Sequence, residues 1–398
     1  MSRLDDLIAQ YCPDGVEYKE LGTLCAKTQN IRWDNTKDSF RYVDLSSVDI
    51  QTHSISETSI ITSEDAPSRA QQIIFAGDIL FATTRPTQMR VCVVPEEYDG
   101  QICSTGYCVI RVNPDVNRSW VFHCLGSGDF KQYLELNQTM GNYPAISNKL
   151  LLKYRIPVPP LPVQEEIVRI LDKMTTLKAE LTAELTARRS QYSYYRDKLL
   201  GFEAAVLMMP LGETCDMKAG KAIDSIFIHS ECSDEAPYEC FGGNGLRGYV
   251  SSFSHDGAFP LIGRQGALCG NVAYAQGRFY ATEHAVVVQS KGLYSQRFLY
   301  HLLTHMELNQ YKSAGAQPGL SVKNLMTIPA PVPPLAVQQR IVNVLDNFEQ
   351  ICSDLRIGLP AEIEARQRQY EYYRDLLLTF VTKGDTLLTD RPTDRPTD

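Results

Sequence analysis

A long stretch of this sequence occurs twice. The run that begins at Val158 returns at Val332, and ten of the first fifteen positions are identical in the two copies. The run Gln191–Asp197 returns as Gln369–Asp375, at an offset of 178 residues instead of 174. A repeat this long and this far apart indicates two copies of one large unit, not a short-period solenoid. Two equivalent halves can present two equivalent surfaces, which suits a partner that is itself quasi-symmetric.

Each copy begins with a proline-rich strap, residues 156–160 and 329–334, where proline keeps the backbone extended. A helical pattern of about 40 residues then starts near Val163 and near Val337. A helix of that length spans roughly 60 Å, so its apolar stripe needs a partner. We expect the two helices to form a coiled coil, with ordinary core helices as the alternative. The predicted coiled-coil positions are Ile167, Leu171, Met174, Leu181, Tyr195, Ile341, Leu345, Phe348 and Tyr373.

The second copy of the helix carries four extra residues, best placed at 357–360. Pro360 removes a helical hydrogen bond, which predicts a kink or an interruption there. Four residues are close to one helical turn, so the apolar stripe should recover its face afterwards.

Upstream of each helix, short β-type runs are broken by Gly, Asn and Pro. These two segments open and close alike but differ in the middle, so the middles are where specificity should lie. The sequence therefore predicts an α+β fold with two β-rich domains and two long helices. The predicted segments are a first β-rich domain at 1–155, a central helix at 156–205, a second β-rich domain at 206–328, a C-terminal helix at 329–383 and a disordered tail at 384–398.

Composition limits the classes of function. The formal charge of −8 argues against a uniformly basic wrapper of nucleic acid, although a local basic surface is compatible with it. The eleven cysteines include no CxxC pair, which predicts buried free thiols. The N-terminus does not resemble a signal peptide, and no apolar run approaches the roughly 18 residues of a membrane span. We therefore expect a cytoplasmic protein.

Signatures of catalysis are absent from the sequence, which contains no zincin, P-loop or nucleophile-elbow motif. Gly243–Gly248 spells GxGxxG, but strand-like residues follow it, which predicts a glycine-rich β-turn instead of a dinucleotide site. His301 and His305 are four residues apart but lack the acidic partner of a zincin, so core or surface roles are favoured over metal binding. We predict neither catalytic nor metal-binding residues.

Two polar loops without acidic residues, 83–90 and 263–271, are candidates for recognition. Arg and Gln bond bidentately to guanine and adenine edges in the major groove, and other polar groups position the phosphates. The occurrence of one such loop in each half favours DNA binding over a solvated polar loop. The candidate DNA-binding residues are Thr84, Arg85, Thr87, Gln88, Arg90, Asn142, Tyr143, Lys149, Arg247, Arg264, Gln265, Asn271, Gln317 and Lys323.

With this layout, the chain resembles the specificity subunits of Type I restriction-modification systems. The resemblance covers residues 15–382 and rests on the Pro-Pro-Leu-x-x-Gln run of both straps and the Gln-Tyr-x-Tyr-Tyr-Arg-Asp helix ends. The resemblance is also supported by residues 77–80 with 104–107 and by residues 242–245 with 263–264. The Ala-Glu-Leu-Thr-Ala-Glu-Leu tract is similar to the IC branch of the family.

The resemblance implies that each variable segment is a target-recognition domain for one half of a split, asymmetric DNA site. It implies that the two helices form an antiparallel coiled coil, a spacer in a pseudo-two-fold arrangement. The implied partners are double-stranded DNA, two methyltransferase subunits and restriction subunits that translocate DNA. S-adenosylmethionine, ATP and Mg are expected on those partners, and this chain is expected to be a non-catalytic subunit without a cofactor.

Three alternatives remain at the level of sequence. A specificity subunit of a methyltransferase-only system would differ only in its neighbouring genes. A coiled-coil scaffold that binds protein instead of DNA does not explain two unlike β-rich domains with basic loops. A self-contained nuclease or methyltransferase lacks a catalytic motif.

Overall fold

The computed structural model divides the chain into two compact units. The first unit is Met1–Glu180 with Glu364–Asp398, and the second unit is Leu181–Ile363. Each unit therefore holds one β-rich segment and a part of both long helical regions. Two sequence predictions, Gln317 and the tail at 384–398, lie outside the described residues. The described residues are 2–202, 206–266, 268–313, 319–353 and 358–382.

The central helix is unbroken over 40 residues, as the apolar spacing predicts. Short helices precede each proline-rich strap, and two helices follow the second strap. The helices are α1 (Arg3–Tyr11), α2 (Arg118–Leu125), α3 (Gly128–Asn137), α4 (Asn148–Leu151), α5 (Leu161–Leu200), α6 (Leu211–Thr214), α7 (Gln296–His305), α8 (Val322–Met326), α9 (Leu335–Ser353) and α10 (Leu359–Leu377).

Strands occupy both segments in which β-type runs were predicted, so the α+β class is confirmed. They are β1 (Tyr18–Glu20), β2 (Gln29–Asn30), β3 (Phe40–Val43), β4 (Ser59–Ile61), β5 (Ala70–Ile73), β6 (Ile79–Ala82), β7 (Val91–Val93), β8 (Ile102–Ser104), β9 (Tyr107–Ile110), β10 (Arg155–Pro157), β11 (Met208–Pro210), β12 (Cys215–Ala219), β13 (Tyr238–Gly242), β14 (Gly245–Val250), β15 (His255–Gly263), β16 (Val272–Ala281), β17 (Ala285–Ser290) and β18 (Pro329–Pro331).

The first unit contains a five-stranded sheet in the order β2-β5-β8-β3-β4 and a three-stranded sheet in the order β7-β6-β9. All four residues of β6 are buried, which explains their continuous apolar run. One hydrophobic core joins Phe81, Trp120 and Phe130 to Ile167 and Leu171 at the start of α5. This core therefore holds the three-stranded sheet and the start of the long helix together.

The second unit contains a six-stranded sheet in the order β12-β17-β15-β16-β13-β14. The first four residues of β17 are buried, again matching an uninterrupted apolar run. Its main core includes Phe298 and Leu302 of α7, Leu200 at the end of α5, and Ile341 and Leu345 of α9. This arrangement repeats that of the first unit, because short helices beside the sheet pack on the long helices.

Each proline-rich strap forms a two-stranded antiparallel pair with the strand that opens the same unit. Tyr18 of β1 pairs with Pro157 of β10, and Met208 of β11 pairs with Pro331 of β18. Proline is tolerated at such edges because it does not have to donate a ladder hydrogen bond. The straps therefore close each β-rich segment before the long helix begins.

The helices pack in an antiparallel sense within the second unit. Tyr195 of α5 stacks on Phe348 of α9 with ring centroids 5.6 Å apart, and Tyr192 lies 6.4 Å from the same ring. Burial of the predicted stripe is greatest near the starts of α5 and α9. Among the predicted positions Ile167, Leu171, Ile341 and Leu345 are buried, Met174, Leu181 and Phe348 are half-buried, and Tyr195 and Tyr373 are exposed.

Pro360 lies at the second position of α10, which begins at Leu359, and the preceding Gly358 is not helical. The helical path is therefore interrupted before Pro360, as the sequence predicts. Proline is tolerated in the first turn of a helix because its missing N–H has no helical acceptor there. The intervening residues 354–357, which include part of the predicted insertion, lie outside the described residues.

A buried glutamine joins strap, helix and β-rich segment in each unit. In the first unit the side-chain oxygen of Gln164 accepts from the N–H of Asn117 at 2.9 Å, and its amide donates to the carbonyl of Pro159 at 2.6 Å. Asn117 is itself the N-cap of α2. In the second unit Gln338 takes the equivalent position. The repeated Pro-Pro-Leu-x-x-Gln motif thus encodes a specific hydrogen-bonded junction.

Gln338→Ala is expected to destabilise the second unit by about 2–4 kcal/mol. Gln338 is fully buried, accepts from the N–H of Ser295 at 2.9 Å and donates to the carbonyls of Leu293 and Pro333, each at 2.8 Å. Its removal leaves those backbone groups without a partner. Thermal unfolding of the variant measures the loss. The control is Gln339→Ala, an exposed neighbour on the same helix; equal losses for the two variants contradict the role of the junction.

All eleven cysteines are free thiols, and nine of them are buried, as predicted. Cys25 is half-buried, and Cys232 is exposed. Burial raises the pKa of Cys92 and of Cys108 to about 12. These thiols are therefore packed, unreactive side chains of the core.

Candidate DNA interface

The first predicted recognition loop, residues 83–90, directly follows β6 and has a constrained backbone. Arg85 and Met89 both adopt left-handed conformations, with φ of 50° and 53°, on either side of the 3-10 turn Pro86–Gln88. Each such non-glycine residue costs on the order of 1 kcal/mol or more, so the surrounding structure must fix it. The loop is therefore a defined surface feature at the end of a buried strand.

A second segment, residues 138–149, packs beneath this loop. Thr84 forms an isolated antiparallel bridge with Ala145. The N–H of Arg85 donates to the carbonyl of Pro144 at 2.7 Å. Residues that are far apart in sequence but were both predicted to contact DNA are thus brought to one surface.

The side chains on this surface are exposed and polar or aromatic. The guanidinium carbon of Arg85 lies 5.1 Å from the centroid of the Tyr143 ring, a cation–π contact. Tyr143 is 74% exposed, and Gln88 and Asn142 are also exposed. A guanidinium supported by an aromatic face keeps its donors available for a base edge or a phosphate.

Two predicted residues of the same loop have a more structural environment. The guanidinium of Arg90 donates to the main-chain carbonyls of Leu45 and Val48, the latter at 2.8 Å. Thr87 is half-buried. Arg90 therefore holds the loop to the 3-10 turn Leu45–Ser47 that follows β3, and its donors are directed inward.

The second predicted loop, residues 263–271, is held in the same way in the second unit. Gln265 forms an isolated antiparallel bridge with Gly319, as Thr84 does with Ala145. The N–H of Leu320 donates to the carbonyl of Arg264 at 2.8 Å. The two polar loops therefore occupy equivalent positions, each at the end of a strand and bridged to the segment before a short helix.

A close approach of glycines shapes this second surface. A Cβ atom on Gly263 would overlap the carbonyl oxygen of Gly243, so only glycine fits there. The run Gly243–Gly248 forms the turn of the β13–β14 hairpin and the first residues of β14. The prediction of a glycine-rich β-turn is therefore correct, and the hairpin carries Arg247 as an exposed side chain next to the loop.

Several buried polar atoms of the second unit lie beside this hairpin. Among the described residues, Nε of Arg264, Oγ1 of Thr282 and Nδ1 of His284 have no hydrogen-bond partner. The N–H of Arg264 donates to the carbonyl of His284 at 2.9 Å, which places these residues together. Asn271 donates to the side chain of Asn244 at 3.3 Å, and Gln265 is exposed. Oε2 of Glu283 is also buried without a partner in the described part of the chain, so these atoms form an internal polar cluster. The exposed polar side chains of this surface are Arg247, Gln265 and Asn271.

Lys149 and Lys323 occupy equivalent places on the short helices α4 and α8. Both side chains are exposed. Their helices have serine N-caps, Ser147 and Ser321, whose hydroxyls accept from the backbone. The shared Ser-x-Lys pattern thus places one lysine near each loop segment.

Sequence reasoning did not identify Met140, Thr282 or His284 as part of these surfaces. Met140 is 97% exposed on the segment that packs beneath the first loop. Thr282 and His284 lie in the turn between β16 and β17, where charged and polar residues interrupt an apolar run. That interruption was the available signal, but it marks any turn.

A separate cluster in the second unit has metal-like geometry but already contains a cation. One ligand atom each of His301, Asp346 and Glu349 lies within 4.8 Å of the others. Arg297 donates to Asp346 at 2.8 Å and also to Glu349, and Nε2 of His301 lies 2.7 Å from Asp346. The guanidinium supplies the positive charge, so the cluster is an ion network between α7 and α9. His123 and Asp172 form the equivalent contact in the first unit at 2.8 Å.

The second unit is expected to lose stability as the pH falls below about 6.5. Burial lowers the pKa of His301, and its hydrogen bond to Asp346 only partly opposes this. The unfolded chain therefore binds a proton that the folded chain binds less readily, so acid favours unfolding. Thermal midpoints at about pH 7.5 and about pH 5.5 measure the effect. His301→Gln should reduce the pH dependence, whereas His229→Gln, at an exposed site, should leave it unchanged; equal behaviour of both variants contradicts the assignment.

Comparison with known proteins decides the family. The model of the family described as "Type I restriction modification DNA specificity domain" matches residues 13–188 and 208–365, which together are more than half of the chain. The chain belongs to this family. The resemblance that the repeated motifs indicated is therefore confirmed. The two matched ranges correspond to the two copies of the internal repeat.

Curated relatives agree with this membership in the specificity family. The Type I restriction enzyme EcoprrI specificity subunit of Escherichia coli is 45% identical over 238 residues, 56% of this chain and 59% of that protein. The EcoR124I/EcoR124II specificity subunit of Escherichia coli is 32% identical over 287 residues, 59% of this chain and 65% of that protein. The chain thus spans less than two thirds of the length of these two relatives.

A solved structure extends the match to nearly the whole chain. It comes from work on complex assembly and conformational transition of the type I R-M system. The two chains are 26% identical with a TM-score of 0.62, over 92% of this chain and 98% of that chain. In the described part of this chain, every helix is too short or too polar to cross a bilayer.

Proposed function

We propose that this chain is the DNA-specificity subunit of a Type I restriction-modification complex. In this proposal the loop 83–90 reads one half of a split, asymmetric DNA site, and the loop 263–271 reads the other half. The long helices set a fixed, unread spacer between the half-sites and carry the other subunits.

The duplicated geometry of the loops is the observation that carries this proposal. The two loops are attached in the same way although their sequences differ. The attachment is an isolated antiparallel bridge, between Thr84 and Ala145 in one loop and between Gln265 and Gly319 in the other. An equivalent framework with unlike, acid-free loops suits two half-sites of similar backbone and different base sequence. The buried junctions at Gln164 and Gln338 hold each loop-bearing segment to a long helix.

The proposal includes partners that this chain does not contain. They are double-stranded DNA, two methyltransferase subunits, and restriction subunits that translocate and cleave DNA. S-adenosylmethionine, ATP and Mg belong to those subunits, and this chain contributes binding and no catalysis. We place the complex in the cytoplasm, in keeping with the free thiols at all eleven cysteines.

Adenine-methylation mapping tests this function. Cells express the chain together with the methyltransferase subunit encoded beside it, and modified adenines are mapped across the genome. The expected result is a split motif with a gap of constant length. An active methyltransferase that leaves no new motif contradicts the proposal and favours a protein-binding scaffold. Methylation by the purified chain alone would instead indicate a self-contained enzyme.

A matched pair of strains separates the restriction system from its methyltransferase-only alternative. One strain carries the chain with the methyltransferase subunit, and the other also carries the restriction subunit. Reduced plating of unmodified phage only in the second strain is expected. Equal plating in both strains contradicts a restriction role and leaves a modification system.

A further inference from the structure

One loop of the first unit exposes large apolar side chains to solvent. Met140 is 97% exposed and Tyr143 is 74% exposed, and only Gly141 and Asn142 separate them. Single exposed apolar residues are common, but two at the tip of one short loop form a small apolar patch. This tip adjoins the surface assigned to DNA recognition.

The base of this loop is closed by hydrogen bonds. The N–H of Thr139 donates to the carbonyl of Ala145 at 2.8 Å, and the hydroxyl of Thr139 accepts from the N–H of Ala145 at 3.0 Å. These hydrogen bonds close the loop at its base, so residues 140–144 form a preformed protrusion. Ala145 also bridges to Thr84, so the protrusion is anchored directly on the recognition loop. A preformed tip pays little ordering entropy when it enters a partner.

Charge around the tip is complementary to nucleic acid. Neither residues 83–90 nor residues 138–149 include an aspartate or a glutamate, whereas Arg85 and Lys149 are exposed in them. The Arg85 guanidinium lies over the Tyr143 ring at 5.1 Å. The apolar side chains of the tip are complementary to the stacked bases in the interior of a duplex. The cationic side chains beside them are complementary to the surrounding phosphates.

We propose that Met140 and Tyr143 act as a wedge that enters the base stack of the half-site read by the first unit. This inference rests on the proposed function. Apolar side chains inserted at a base step unstack it, and the cost depends on which step is opened. The wedge therefore adds sequence preference at base pairs that receive no hydrogen bond. Arg85 remains at the mouth of the wedge to bind a phosphate or a base edge.

The test uses the assembled complex of this chain with its methyltransferase subunits, on duplexes of the mapped site. A 2-aminopurine reporter is placed at successive steps of the first half-site in one series and of the second half-site in another. Tyr143→Ala with Met140→Ser should remove a fluorescence increase at one step of the first half-site only. Affinity should fall about ten- to hundredfold, the range of lost base–aromatic stacking. Tyr143→Phe, which keeps the ring, should preserve both signals.

Three outcomes overturn the wedge. The first is a double variant whose fluorescence and affinity equal those of the wild type. If Arg85→Ala still weakens specific binding in that case, the proposed function stands and only the wedge is excluded. The second is a double variant that no longer assembles with the methyltransferase subunits, which assigns the tip to a protein contact. The third is a wild-type complex without any preference for the mapped site, which removes the proposed function as well. Both side chains are exposed, so the thermal midpoint of the variant should match that of the wild type.

Discussion

Insertion of a second Thr-Ala-Glu-Leu unit beside Thr182 is expected to abolish methylation at the original site and to create a site with a longer gap. The ends of α5 belong to separate cores, Ile167 and Leu171 to that of the first unit and Leu200 to that of the second. Four added residues lengthen the helix between them by about 6 Å and turn it about 40° beyond a full turn. At 3.4 Å per base pair, the gap should grow by one or two base pairs.

The middle of α5 can accommodate this change. Residues 179–180 and 182–184 are exposed, so an extra turn there displaces no core side chain. Deletion of residues 182–185 should shorten the gap by a similar amount. Thr182→Lys keeps the length and reproduces the preceding Lys-Ala-Glu-Leu unit, so it serves as the control with an unchanged gap. Methylation mapping reads all three variants, and an active insertion variant with the original gap contradicts a spacer role for α5.

Arg264→Ala is expected to relax the sequence requirement of one half-site and to leave the other unchanged. Loss of a bidentate arginine contact costs about 1–3 kcal/mol, which is roughly fivefold to more than a hundredfold in affinity. The backbone of Arg264 is fixed by hydrogen bonds with His284 and Leu320, at 2.9 and 2.8 Å, so its side chain starts from a defined position at the end of β15. Arg264→Lys should recover little, because an ammonium group cannot form the planar pair of hydrogen bonds.

Matched arginines in the first unit serve as controls for this result. Arg85→Ala should relax the opposite half-site, since its loop is equivalent but belongs to the other unit. Arg90→Ala should lower the thermal stability of the first unit instead, because its donors bind the carbonyls of Leu45 and Val48. Binding is measured on duplexes with single base changes in each half. A uniform loss across all sequences would mark Arg264 as a phosphate contact and contradict base reading.

The framework could be predicted because it is encoded locally. The periodic apolar residues of α5 and the continuous apolar runs of β6 and β17 each determine one element. Pro360 marked the interruption between α9 and α10 for the same reason. The repeated glutamine of each strap was noted as a motif, but its buried junction with α2 or α7 became evident only in the structure.

The recognition surfaces were less predictable because they depend on long-range contacts. Arg90 was selected as a DNA-binding residue by its type and by its acid-free neighbours. Its actual acceptors, the carbonyls of Leu45 and Val48, lie more than 40 residues away in sequence. Thr84 and Gln265 share no local motif, and their equivalence follows from their bridges to Ala145 and Gly319.

One chimaera tests most directly whether each unit reads its own half-site. Equivalent hydrogen bonds define the junctions of the exchanged segments. The N–H of Leu21 donates to the carbonyl of Tyr154 at 2.8 Å, and the N–H of Leu211 donates to the carbonyl of Ile328 at 2.9 Å. Residues 21–154 can therefore replace residues 211–328 between matching framework positions. Methylation mapping should then find the first half-site twice, as an inverted repeat around a gap. Methylation of the original asymmetric sequence, or any retention of the second half-site, would contradict the account.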